Sequence, residues 1–125
     1  MMNGNMTSYH VPNLSSFKNE YMQMTTTLLY EIEEALSIAG RGCVLMPGVP
    51  EATNILLRLG DRVILVPPVG SPFESQIHSL DAVHNRSSTQ PEVRLLVVLP
   101  TSVSKQAVPS GTKLFLLEPH IRLHV

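Results

Sequence analysis

The chain has 125 residues, room for one compact domain with short tails. Nine Lys and Arg stand against ten Asp and Glu, a formal charge of −1. That balance excludes broad binding to a phosphate backbone, which needs a clear excess of cations, and leaves only a local basic patch open. Hydrophobic residues make up 43% but aromatic ones only 5%, so Leu, Val and Ile must build the core. The single cysteine, Cys43, has no partner for an intrachain disulfide, which fits a reducing compartment. The N-terminus lacks the basic stretch and apolar run of a secretory signal. Apolar runs such as Leu95 to Leu99 are far too short to span a bilayer. The expected setting is the cytoplasm, away from any membrane.

Residues 1–27 are rich in Met, Asn, Ser and Thr and are punctuated by Gly4 and Pro12. They read as a flexible arm, with room for a short helix over Lys18 to Met24. The methionines lie scattered, without His or Cys between them, and make a poor soft-metal site. Residues 28–38 fit both periodicities. Leu28, Leu29, Ile32, Ala35 and Leu36 make a helical stripe, whereas Leu28, Tyr30, Ile32, Leu36 and Ile38 alternate. The hairpin-type turn Gly40-Arg41-Gly42 that follows decides for a strand, with an irregularity near Glu34.

From there the signal is β. Cys43 to Val49 is one run, stopped by Pro50, and Arg62 to Val66 is another, stopped by Pro67-Pro68. Phe73 to Leu80 follows the Gly70-Ser71-Pro72 turn, and His84 to Pro91 reads as a polar loop. Val93 to Leu99 is almost unbroken in its apolarity, as a strand buried on both faces would be. Thr101 to Val108 accommodates one helical turn with a hydroxyl cap. Pro109-Ser110-Gly111 forms a turn before a last strand, Lys113 to Leu117. Six or seven short strands with regular turns predict an all-β barrel or sandwich over residues 28–119, followed by a tail over residues 120–125.

The ordered set Ile32-Glu33-Glu34-Ala35-Leu36, Gly40-Arg41-Gly42, Leu59-Gly60-Asp61 and Pro109-Ser110-Gly111 resembles the second domain of translational GTPases of the elongation factor Tu type. The resemblance covers about ninety residues, from Leu28 to roughly Glu118. It implies a six-stranded antiparallel Greek-key barrel that docks on transfer RNA or ribosome surfaces and does not itself hydrolyse GTP. Where the family has a Thr-Gly-Arg-Val-like run, this chain reads Met46-Pro47-Gly48-Val49, so no transfer RNA-binding residue is carried over. No Gly-x-x-x-x-Gly-Lys-Ser/Thr loop is present, and no GTPase domain is expected.

The candidate sites are few. Arg41, Arg58 and Arg62 are the cations best placed to contact a partner. Cys43, within an apolar run, reads as inert core; activated, it would be a nucleophile near His78 and His84. His120 and His124 are four apart but alternate with apolar residues as an extended tail would, so no zinc site is expected. Glu31, Glu33 and Glu34 form the one acidic cluster and read as a solvated face. Asp61, after Gly60, fits a turn side chain that bonds its own backbone. No catalytic residue, metal or cofactor is assigned. The leading expectation is a non-catalytic module that docks on a protein or ribonucleoprotein. A small enzyme or ligand-binding barrel at Cys43, His78 and His84, and a self-assembling module paired through an open sheet edge, are the alternatives.

Overall fold

The computed structural model describes residues 24–51, 53, 55–85 and 92–119. They form eight strands: β1 (Met24–Glu31), β2 (Glu34–Ile38), β3 (Gly42–Pro50), β4 (Arg62–Val66), β5 (Phe73–Gln76), β6 (Ser79–Asn85), β7 (Glu92–Leu99) and β8 (Lys113–Pro119). All pairings are antiparallel. They build two four-stranded sheets with orders β1-β8-β4-β5 and β2-β3-β7-β6. The all-β expectation holds. Eight strands stand where six or seven were expected, and their ladders form two sheets rather than one closed barrel. Strand β1 begins at Met24, so the last four residues assigned to the arm belong to the folded part. The rest of the arm, most of the short helix and the tail at 120–125 lie outside the described residues.

Strand alternation puts Cys43 and Leu45 of β3, Val63 and Leu65 of β4, Val97 and Leu99 of β7, and Leu114 and Leu116 of β8 into one core between the sheets. Their neighbours point outward and form two further clusters. Val44, Leu96 and Val98 lie on one sheet, and Ile64, Phe115 and Leu117 on the other. The two central strands of each sheet are therefore apolar on both faces, which is why their sequences read as unbroken runs.

Two of the chain's four passages from sheet to sheet are tight corners at isoleucines. The N–H of Ile32 donates to the carbonyl of Thr112 at 2.7 Å, and its own carbonyl accepts from Gly111 at 2.8 Å. The next residue, Glu33, donates to Met46 in the other sheet at 2.9 Å. Ile77 repeats the device. It donates to Asp61 at 2.9 Å and accepts from Gly60 at 2.7 Å, and then His78 donates to Val98 across the corner at 2.8 Å. Both isoleucines are buried and fill the corners with their side chains. The irregularity expected near Glu34 is the first corner, at Ile32–Glu33. The second divides the single run expected over Phe73 to Leu80 into β5 and β6.

Strand β3 is bulged. Leu45 pairs with Val97 and Val49 with Leu95, so four residue steps on β3 match two on β7. The bulge holds the cis Met46–Pro47 bond and Gly48, whose φ is 93°. A Cβ at Gly48 would lie 2.6 Å from the Leu95 carbonyl oxygen, so only glycine fits this close approach. Arg94 closes the bulge. Its guanidinium donates to the carbonyls of Pro47 and Gly48, each at 3.2 Å, and to Glu92 at 2.9 Å. Where the ladder is disturbed, the buried Tyr30 hydroxyl enters from β1. It donates to the Leu45 carbonyl at 2.7 Å and accepts from the Val97 N–H at 3.2 Å.

Between β7 and β8, Ser104 caps a single 3₁₀ turn, Lys105–Ala107, by accepting from the Gln106 N–H at 3.0 Å. This is the helical turn with a hydroxyl cap that the sequence predicts. The buried Thr112 hydroxyl donates to the Pro109 carbonyl at 2.6 Å, which fixes the last turn before β8.

Two outcomes test this packing. Tyr30→Phe leaves the Leu45 carbonyl and Val97 N–H without their bridge and should cost about 1–3 kcal/mol in urea unfolding. Burial pushes the Tyr30 phenol well above its ordinary value. The stabilisation from its proton is full below about pH 10, the unfolded value, and is lost as pH rises beyond it. The wild type should therefore lose more stability above that pH than Tyr30→Phe does. Val97, fully buried, supplies the second test: Val97→Asp buries an unpaired carboxylate and should abolish cooperative unfolding as followed by circular dichroism.

Candidate functional site

The arginines expected to contact a partner do not share one environment. Arg41 sits on the β2–β3 hairpin, whose Arg41 N–H donates to the Ile38 carbonyl at 2.9 Å. Its guanidinium reaches across to Asp81 on β6 at 2.5 Å. Asp81, which looks isolated in sequence, is thus the partner of a residue forty positions away. Arg62, at the start of β4, grips Glu74 of β5 with two nitrogens, at 2.5 Å and 3.1 Å. This fork-on-carboxylate geometry is the strongest form of an exposed ion pair.

Arg58 differs. It opens a turn in which the Asp61 N–H donates to the Arg58 carbonyl at 3.1 Å. Gly60 occupies the third position with φ 88°, as a type II turn requires. The Asp61 carboxylate accepts from the Arg58 backbone N–H at 2.9 Å, which is the self-bonding role expected of it. The Arg58 guanidinium lies 3.8 Å from that carboxylate, and its side chain is 67% exposed. Leu56 and Leu59 on either side are 68% and 65% exposed, while Leu57 between them is buried in the core. The backbone of the turn is tied to the Ile77 corner. Sequence reasoning singled out Arg58 but not these leucines. The signal was available: a turn apex favours Gly, Pro, Asn, Asp or Ser, and here it holds Leu59.

The three residues of the alternative site stand in different environments. Cys43 lies fully buried in the central core, and burial pushes its thiol pKa up, away from the reactive thiolate. His78, at the second corner, and His84, on β6, are exposed. Among the described residues there is no group of three or more His, Cys, Asp and Glu able to hold a metal ion. Glu31, Glu33 and Glu34 are all exposed, and Glu31 lies 3.6 Å from Lys113. His120 and His124 lie outside the described residues. Among the described residues no helix is long and apolar enough to cross a membrane.

Compared with known proteins, the chain matches no family model, no curated protein and no solved structure.

The buried thiol gives a direct check. Cys43 should resist a thiol reagent such as Ellman's in the native protein and react fully in denaturant; rapid native labelling would place it at the surface. For the Arg41–Asp81 pair, Asp81→Asn should cost no more than about 1 kcal/mol in urea unfolding, the scale of exposed pairs.

Proposed function

We propose that the chain is a non-catalytic docking module, similar in kind to the second domain of translational GTPases, that engages a protein partner. The barrel reading draws support from strand order. The chain joins edge strand β5 of one sheet to edge strand β6 of the other at Ile77, and edge strands β1 and β2 at Ile32, as neighbouring strands of a barrel would be joined. The resemblance draws support from the places its motifs occupy. Gly40-Arg41-Gly42 joins β2 to β3, Gly60-Asp61 precedes β4, and Gly111 precedes β8.

One observation carries the choice of partner class. Arg41 and Arg62 each hold a carboxylate of the same chain at 2.5 Å, while Leu56 and Leu59 stand exposed. A surface that neutralises its own cations releases few counterions on meeting phosphates, whereas exposed leucines gain from contact with apolar protein surface. A cytoplasmic setting suits a protein with one unpaired, buried thiol. Self-assembly through β2 is less favoured, because the 3₁₀ turn packs beside that edge strand.

The test is fluorescence anisotropy with a structured RNA at ~150 mM salt, where charges are screened beyond about 8 Å. Negligible RNA binding, with a partner retained from native lysate after nuclease treatment, is the expected result. Tight, salt-resistant RNA binding would replace the protein partner with a ribonucleoprotein.

A further inference from the structure

Most other exposed apolar side chains lie along strands: Leu28 on β1, Leu36 and Ile38 on β2, and Val83 on β6. Val69, on the loop between β4 and β5, is a single apolar side chain among prolines and glycine. Residues 56–59 are different, because two exposed leucines and an exposed arginine occur within four positions on an anchored turn. We propose that this turn is the docking point and that its partner is an acidic amphipathic protein segment, with a carboxylate set between two apolar side chains. The inference rests on the protein-docking reading and names the site and the chemistry of the partner.

Three observations support it. The first is presentation. Leu57 anchors the segment in the core, and the turn beyond it is held by hydrogen bonds within itself and to both backbone groups of Ile77. Little ordering is left for a partner to bring about, so contact energy is not spent on it. The second is the state of the cation. Arg41 and Arg62 hold their carboxylates at 2.5 Å, whereas the nearest carboxylate to Arg58 caps the turn backbone and lies 3.8 Å from the guanidinium. Among these three arginines, Arg58 is the one whose side chain is least engaged.

The third is complementarity. A cation flanked by apolar groups is matched by an anion flanked by apolar groups, each leucine being covered as the charges meet. A phosphate chain would satisfy Arg58 and leave both leucines in water.

The experiment is an amide-resolved NMR titration of the full-length chain with three probes. Two are synthetic amphipathic peptides of identical leucine spacing, one carrying glutamates and the other lysines. The third is a short single-stranded RNA. The glutamate peptide should shift the amides of residues 56–61 and the lysine peptide should not. Arg58→Glu, which leaves the backbone hydrogen bonds of the turn in place, should weaken the glutamate peptide by about five- to tenfold and admit the lysine peptide, since an exposed attraction becomes a repulsion. Leu59→Ser should weaken the glutamate peptide when Arg58 is present and the lysine peptide when it is combined with Arg58→Glu. Absence of shifts at 56–61 with the glutamate peptide overturns the site, whatever happens elsewhere. Peptide shifts confined to another face leave the docking reading standing, and shifts with RNA alone overturn both.

Discussion

The architecture depends on one buried hydroxyl. A bulge of two extra residues on β3 disturbs its ladder with β7 in the middle of the most apolar part of the molecule. An orphaned carbonyl and N–H there would each carry a desolvation penalty. Tyr30 removes both penalties, because its O–H serves Leu45 and accepts from Val97 at once. It does so from β1, which belongs to the opposite sheet, so the repair also bolts the sheets together across the core. Arg94 performs the matching task on the outer side by satisfying the carbonyls of Pro47 and Gly48.

The corners follow from the same need to keep buried backbone paired. Ile32 lies two residues after Tyr30, and its N–H and carbonyl both bond to the segment before β8. Ile77 is pinned in the same manner to the residues before β4. The second corner reaches beyond the core. By holding Gly60 and Asp61, it fixes the turn that carries Arg58 and Leu59. The surface proposed to meet a partner is thus an extension of the scaffold, and its exposed leucines are presented by the same bonds that bend the sheet.

Much of this was legible in the residues because proline, glycine and alternation act locally. Arg62 to Val66 between Asp61 and Pro67 could be little else than β4. The run from Val93 to Leu99 declared a strand buried on both faces, and the short turn with a hydroxyl cap fell within the expected span, Thr101 to Val108. Asp61 declared its own turn. Other features depended on contacts that sequence does not display. Arg41 and Asp81 are forty positions apart, and their pairing exists only because the sheet brings the β2–β3 turn within reach of β6, across β7. The split between β5 and β6 was hidden because Ile77 looks like any alternating apolar residue, and what sets it apart is a bond to Asp61, in the turn before β4. Tyr30 looked like one more member of an alternating run, since nothing nearby shows that β3 bulges fifteen residues later. The exposed leucines were missed for the opposite reason: an apolar residue invites the assumption of burial.

Native-state amide hydrogen exchange, resolved by residue, tests the account most directly. If Tyr30 bolts the sheets and the second corner anchors the docking turn, the Val97 amide should exchange only with global unfolding. The amides of Ile77, Gly60 and Asp61 should be protected well above those of the exposed residues Val69, Gly70 and Ser71. If Val97 exchanged as fast as that loop, the hydroxyl bridge would not be holding the bulge. Unprotected Gly60 and Asp61 would likewise show a docking turn that the scaffold does not hold.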